Sequence, residues 1–415
     1  MQVRDLETVV EYGLCAGCGL CESMAGRERV EMVMSDGRYL RPKVHEPLEP
    51  ALLDRILAAC PGINLHGHGA EVAGPGGGLH LIWGPYASLS RGYSSDPAIR
   101  FKAAAGGVMT ALSLYLLESG QVDCIVHVGA EKDAPMHTES RVSTDRQQVI
   151  DGAQSRYGPA APLDDVMRLL DEGKRFAVSA KPCDVAAIRN LARLDHRVEA
   201  QVPYLLTIFC GGVPTLKTAR QIAAHFGQEE KDLDVFRFRG EGWPGMTHMH
   251  TRDSQTFEIT YDQAWSEKQP WSYDVQFRCK ICPDAIGELA DVSLPDSWIM
   301  VDGEPTHAEG EGWNVILART AKGARLVDEA VAAGYIEREP YRLEEFDSQH
   351  AEHAWRKQAA LSRGLGLAVR GQPRPSYRNF RLLRCAISGG WRWSWRNFTG
   401  MLRRLREGRN REPAV

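Results

Sequence analysis

Phe176-Ala177-Val178-Ser179-Ala180-Lys181-Pro182-Cys183-Asp184 is the stretch on which the fold turns. The apolar run Phe176–Ala180 reads as a strand, and a helix is expected directly after it, over 184–193. A second unit repeats the order: the apolar run Tyr204–Phe209, then a helix from Thr215 to Phe226. Working outward, helices at 108–117, 163–172, 184–193 and 215–226 alternate with strands at 122–128, 175–180 and 204–210. That alternation predicts an α/β class, a central mixed or parallel sheet with flanking helices. A strand-richer stretch follows (Phe236–Arg239, Met246–Thr251, Phe257–Tyr261, Val315–Ala318), then helices at 321–333 and 348–362.

Each unit puts a cysteine beyond its strand: Cys183 in Lys181-Pro182-Cys183-Asp184, and Cys210 in Phe209-Cys210-Gly211-Gly212. Cysteines at the carboxyl ends of neighbouring strands converge on one sheet edge, where cofactors bind. Cys279-Lys280-Ile281-Cys282 would complete a four-thiolate cage, although buried free cysteines account for the spacing equally well. The amino-terminal group is more regular. Cys15-Ala16-Gly17-Cys18-Gly19-Leu20-Cys21 wraps a short loop as in bacterial ferredoxins, and Cys60-Pro61 supplies their cysteine–proline step. Strand Val30–Met34, turn Asp36-Gly37 and helix Leu52–Ala59 lie between them. A [4Fe–4S] cluster on Cys15, Cys18, Cys21 and Cys60 is the leading reading. Zinc, the alternative, favours paired knuckles, and the second pair is missing. Cys124, within the strand 122–128, is expected in the core, and Cys385 is incidental.

The composition sets the frame. A chain of 415 residues, 43% hydrophobic and 25% charged, is neither wholly disordered nor fibrous. No apolar run approaches the roughly 18 residues of a spanning helix. Acids within Met1–Glu7 argue against an export signal, so a cytoplasmic location is expected, and ten cysteines there point to metal or redox chemistry. The net charge of −4 is polarised: twelve arginines against two glutamates make the residues from Arg370 onward +10. A small iron–sulfur module (1–66), a glycine-rich linker (67–78), a central domain (79–340) and a helical basic extension (341–415) follow from this reading. Trp391, Trp393, Trp395 and Phe398 among those arginines fit a peripheral membrane or acidic-protein contact, or a packed helix with a solvated basic face. Gly106-Gly107 opens the helix at 108–117, where backbone N–H groups suit phosphate; close helix packing explains the two glycines equally well.

In order along the chain, several motifs carry a resemblance. They are Gly92-Tyr93-Ser94 through Arg100 to Gly106-Gly107; Ser155-Arg156-Tyr157; Lys181-Pro182-Cys183-Asp184 with Phe209-Cys210; Cys279–Cys282 with Ala290-Asp291-Val292-Ser293; and Gly312-Trp313-Asn314 to Arg319-Thr320. Together they resemble the coenzyme F-420 hydrogenase/dehydrogenase beta-subunit family of flavin and iron–sulfur oxidoreductases, over roughly residues 10–335. The resemblance implies FAD near Gly106-Gly107 and a second [4Fe–4S] cluster on Cys183, Cys210, Cys279 and Cys282. It makes Arg100, Thr110, Ser155, Arg156, Tyr157 and Lys181 cofactor-binding candidates, the two arginines because their forks match phosphate. Two departures stand out: Ala105 replaces a common serine, and Leu294-Pro295-Asp296 replaces a common Gly-Asp.

Clusters carry single electrons and flavins carry pairs, so the expected function is an oxidoreductase. The first reading passes electrons from a ferredoxin-type carrier through the clusters to FAD and on to an unsaturated small-molecule substrate. The alternatives are hydride exchange with the deazaflavin coenzyme F-420, and an electron-transfer subunit of a larger complex. A homo-oligomer is expected, and no nucleic-acid motif is present. No catalytic acid is assigned; His248 and His250, two apart on a strand, are expected on a solvated face.

Overall fold

The computed structural model describes residues 3–36, 38–265 and 268–415. Met1 and Gln2 of the amino-terminal reading and Gly37 of the expected turn lie outside the described residues. The core is an eight-stranded mixed sheet in the order Ile336–Pro340, Ser88–Ser94, Asn314–Ala318, Val292–Ser293, Leu205–Thr207, Phe176–Ser179, Cys124–Ala130, Thr138–Ser143. The four strands from Val292–Ser293 to Cys124–Ala130 run parallel, and the outer pairings are antiparallel.

Side-chain alternation explains why the parallel strands read as continuous apolar runs. Phe176, Val178, Cys124, Val126 and Leu205 face one apolar cluster with Val185, Ile188 and Leu191 of helix Pro182–Leu191. Ala177, Ile125 and Leu206 face the other, with Val108, Leu112 and Leu116 of helix Val108–Glu118. Helices therefore cover both faces, and no parallel strand offers a polar side to water. Cys124 is a core residue, as expected; Cys385 is fully buried and donates to the Leu81 carbonyl.

The expected elements shift where caps decide. Helix Pro182–Leu191 starts earlier than expected because Pro182 stands at its first position, so Cys183 lies in the first turn. Strand Leu205–Thr207 stops three residues short of Cys210. The helix expected at 348–362 is two, Leu343–Gln349 and Ala351–Val369, broken at His350. The glycine-rich stretch 67–78 holds a 3-10 turn at Ala70–Ala73, and Gly67 N–H donates to the Arg378 carbonyl.

The chain ends fold back over the core. Helix Ala351–Val369 packs against Leu382–Gly389 and Trp391–Arg406. From it Lys357, together with Arg381, pairs with the fully buried Glu288. Arg41 of the amino-terminal hairpin holds Glu412 in a two-pronged ion pair, 2.6 and 2.9 Å. Strand Asn64–His66 pairs in parallel with Ser376–Arg378.

Removing one member of a buried ion pair leaves its partner charged in a dry site, which costs about 3–5 kcal/mol. Lys357→Ala should therefore lower stability by about 3 kcal/mol or more in urea unfolding, while the charge-free pair Lys357→Met with Glu288→Gln recovers part of it.

Candidate functional site

The first cysteine group is shaped by backbone that only glycine accepts readily. Gly17 and Gly19 hold φ of +71° and +85°, which curls Cys15–Gly19 into a loop before helix Leu20–Ala25, whose first turn carries Cys21. Cys60 caps helix Pro50–Ala59, and its carbonyl accepts from Ile63 and Asn64. A side chain at Gly62 would meet the Leu14 carbonyl oxygen at 2.5 Å and the Cys60 sulfur at 3.2 Å. Cys15, Cys18, Cys21 and Cys60 thereby come within electrostatic range of one another. Cys183, Cys210, Cys279 and Cys282 form a second such group. The two sets separated in the sequence are thus two sets in space.

Burial pushes up the thiols of Cys15, Cys18, Cys21, Cys60, Cys183, Cys210 and Cys282, Cys60 and Cys210 each to about 12, and in the first group neighbouring thiols add to the effect. Four cations oppose it: Arg41 at Cys15, Lys181 at Cys183, Arg278 at Cys60 and Cys282, and Arg356 at Cys210 and Cys282. Among the described residues, no group of three or more His, Cys, Asp or Glu side chains forms a site for a single metal ion.

Lys181 joins the groups. Its ammonium donates to both Asp184 carboxylate oxygens at 2.8 Å and interacts with Cys183 of one group and Cys18 of the other. Burial works most strongly against its charge, but Asp184, Cys183 and Cys18 together outweigh burial and keep the amine protonated. It also lines a narrow cleft with Gly17, Arg41, Val213 and Gln276, which bring the loops of both groups together. Arg278 makes a second link. Its Nη2 donates to the Pro61 carbonyl at 2.9 Å, beside Cys60, and Cys279 follows it in the chain. Yet its Nε and Nη1 are buried with no partner. Buried donors left unpaired in a native fold mark a place where a further acceptor belongs. This donor pair and the two four-thiol groups fit a sulfur-rich cofactor.

The carbonyls flanking the second group are held from helix Ala351–Val369 and strand Ser376–Arg378. Arg356 donates to the Cys210, Gly211 and Cys279 carbonyls, Arg363 to Lys280, and the Tyr377 hydroxyl to Ile281.

Gly106-Gly107 lies at the same carboxyl edge. Helix Val108–Glu118 runs back along the sheet toward the start of strand Cys124–Ala130, and its Ser113 reaches Ser179 at 3.0 Å. A side chain at Gly106 would meet Asn314 N and Gly92 O, both at 2.7 Å, so close packing requires this glycine. Asn314 Oδ1 accepts from Val108 N at the helix start, and Thr110 is half-buried in that first turn. Arg100 pairs with Glu311 at 3.0 Å and stacks over Tyr93, while its Nη2 is buried and unpartnered. That free donor fits an anionic group. Arg156 differs: it donates to Thr138 Oγ1 and to the Pro135, His137 and Phe236 carbonyls, so its guanidinium braces the backbone.

Sequence reading missed Arg239. Buried, it donates to Asp296 (2.8 Å), the Tyr157 hydroxyl (3.4 Å), and the Pro244 and Ala104 carbonyls. Trp243, Tyr261 and Trp298 surround the guanidinium. It bridges in backbone to Ser155, so Ser155 and Tyr157 belong to this centre, and Asp296 finds its role as the counter-ion. Its partners span some two hundred positions, which left no local signal. His248 and His250 pair with Glu258 and Asp234 on the half-exposed face of strand Thr247–Thr251. A cavity of about 310 Å³ beside Arg189, Asp291 and Lys322 lies at the opposite, amino-terminal end of strand Leu205–Thr207.

Comparison with known proteins gives the family. The family model "Coenzyme F420 hydrogenase/dehydrogenase, beta subunit N-term" matches residues 89–168, and the model for the carboxyl-terminal part of the same family matches 173–343. The F420-dependent formate dehydrogenase subunit beta of Methanocaldococcus jannaschii is 24% identical over 243 residues, 59% of each chain. This chain thus spans under two thirds of that relative. The coenzyme F420 hydrogenase subunit beta of Methanosarcina barkeri is 25% identical over 267 residues, 62% of this chain and 83% of that one. A chain in the structure of the F420-reducing [NiFe] hydrogenase complex from Methanosarcina barkeri shares the fold, with TM-score 0.53 and 22% identity over 70% of this chain and 95% of its own.

Arg278 yields a test that needs no cofactor. In metal-free protein its two bare donors are a liability, so Arg278→Met should be neutral or stabilising by up to about 4 kcal/mol in urea unfolding. A clear loss of stability in the metal-free variant would mean that the guanidinium is already satisfied.

Proposed function

Because the chain belongs to the coenzyme F420 hydrogenase/dehydrogenase beta-subunit family, we propose that it is an electron-carrying subunit of a larger oxidoreductase, exchanging hydride with a deazaflavin of the F420 type. One observation carries this reading: two four-cysteine groups, buried or half-buried, meet at Lys181–Asp184 on the sheet edge that also bears Gly106-Gly107. The relatives described above are named for coenzyme F420, which favours the deazaflavin over the ferredoxin-to-substrate route.

In this reading Cys15, Cys18, Cys21 and Cys60 hold one [4Fe–4S] cluster, and Cys183, Cys210, Cys279 and Cys282 hold another. FAD lies against Gly106-Gly107 and Thr110, with Arg100 as its phosphate partner. Clusters pass single electrons and the flavin takes or gives two, which couples one-electron transfer to hydride chemistry. The chain's own residues prepare the site. Arg41, Lys181, Arg278 and Arg356 offset the charge that eight thiolates would otherwise place in a dry interior. Arg278 offers its two free N–H groups to cluster sulfur. Arg239, held by Asp296, fixes Ala104 and with it the approach to the Gly106 turn. Arg156 and Tyr157 support the wall beside it.

Anaerobic reconstitution should load about eight irons and eight sulfides per chain, two cubes of four. Cys18→Ser and Cys183→Ser should each remove about half, and Arg100→Met should weaken FAD retention about tenfold or more. The reduced protein should convert oxidised deazaflavin to its hydride adduct, read as bleaching of the coenzyme's visible absorbance. Iron near four per chain would strike out one cluster. Full iron and flavin with no deazaflavin turnover, but rapid reduction by ferredoxin, would restore the other route.

A further inference from the structure

Between Glu352 and Glu407 the chain has no acidic residue and thirteen arginines and lysines. This segment lies beyond residue 343, where the family match ends. Its two last helices show an unusual surface. Leu382–Gly389 buries Cys385 and Ala386 and turns Leu383 and Ile387, one helical turn apart, into water at 65% and 72% exposure. Trp391–Arg406 buries Asn397 and Met401 and exposes Trp391 and Trp395, again one turn apart, at 74% and 62%. Arginines flank these apolar pairs: Arg384, Arg392 and Arg396 lie in the same turns, and Arg392 stands over the Trp391 ring.

Four large apolar side chains held mostly in water are costly unless something covers them. A purely acidic soluble partner would account for the arginines but would leave indoles and aliphatics without purpose. What is needed is a surface that is both anionic and apolar a few ångströms below. A lipid–water interface has that profile: indoles sit at headgroup level, aliphatics reach the acyl boundary, and arginines meet the phosphates. We propose that the face made by Leu383, Ile387, Trp391 and Trp395, with Arg384, Arg392 and Arg396, docks this protein on an anionic membrane surface. The helices lie on the surface and do not cross: among the described residues no helix is long and apolar enough to span a bilayer.

Flotation of the full chain with vesicles tests this. Vesicles of phosphatidylcholine mixed with phosphatidylglycerol should carry the protein upward at low salt, and phosphatidylcholine alone should carry at least about tenfold less. Trp391→Ser with Trp395→Ser should cut partitioning about tenfold or more even at low salt. Arg392→Gln with Arg396→Gln should cut it similarly and flatten its salt dependence. All four positions are exposed, so thermal unfolding should match the parent; if one variant misfolds, the other and the salt series of the parent still decide. The proposal is overturned if the parent ignores anionic vesicles at low salt, if the tryptophan pair can be replaced without effect, or if an acidic protein binds this face while vesicles do not.

Discussion

Putting eight thiols into the interior of one protein sets a charge problem that the rest of the site answers. The ion pair of Lys181 and Asp184 is its centre, because a cysteine of each group interacts with it. Lys181 is positioned by the end of a parallel strand, and Asp184 by the first turn of the following helix. Their 2.8 Å contact therefore depends on the strand–helix joint itself. Pro182 at the helix start makes that joint rigid. Cys183, between them, inherits its position from the same few bonds.

Around this centre the cations come from every part of the chain. Arg41 stands on the amino-terminal hairpin, Arg278 on the short helix Phe277–Lys280, and Arg356 on a carboxyl-terminal helix. Each does two jobs, lowering the cost of negative charge at sulfur and holding backbone carbonyls or a carboxylate in place. The carboxyl-terminal helices thus act as a clamp on the second cysteine group, fastened to the core through Glu288. That fastening leaves their outer face free to carry tryptophan and arginine toward another surface.

The glycine pair shows how packing and binding share residues. Gly106 has no room for a side chain because strand Ser88–Ser94 and the start of strand Asn314–Ala318 close on it. The same closeness brings Arg100, with one bare donor, beside the turn. Arg239 completes the arrangement from a distant strand, tying Ala104 to Asp296 across the aromatic wall.

The α/β class, the main strands and helices and the Cys15–Cys21 loop were legible in the sequence because they rest on short-range signals, whereas the second cysteine set came from the family resemblance. These are apolar runs of strand length, a proline before a helix, and cysteines at fixed steps from glycine or proline. Helix ends shifted by a few residues, since end positions such as His350 and Pro182 depend on local backbone angles. Arg156 and Arg239 illustrate the remainder. One stood in a recognisable motif and was expected on phosphate, yet it binds backbone carbonyls that only folding brings to it. The other stood in no motif and is a hub, because its partners lie far apart in the chain. By itself, then, the sequence determined which elements form and how Cys15, Cys18 and Cys21 share one loop, through spacing that acts within a few residues. Only the tertiary structure decided which cations face those sulfurs, which donors stay unpaired and which apolar side chains remain in water, because a buried charge takes its partner from whatever chain segment packing sets beside it.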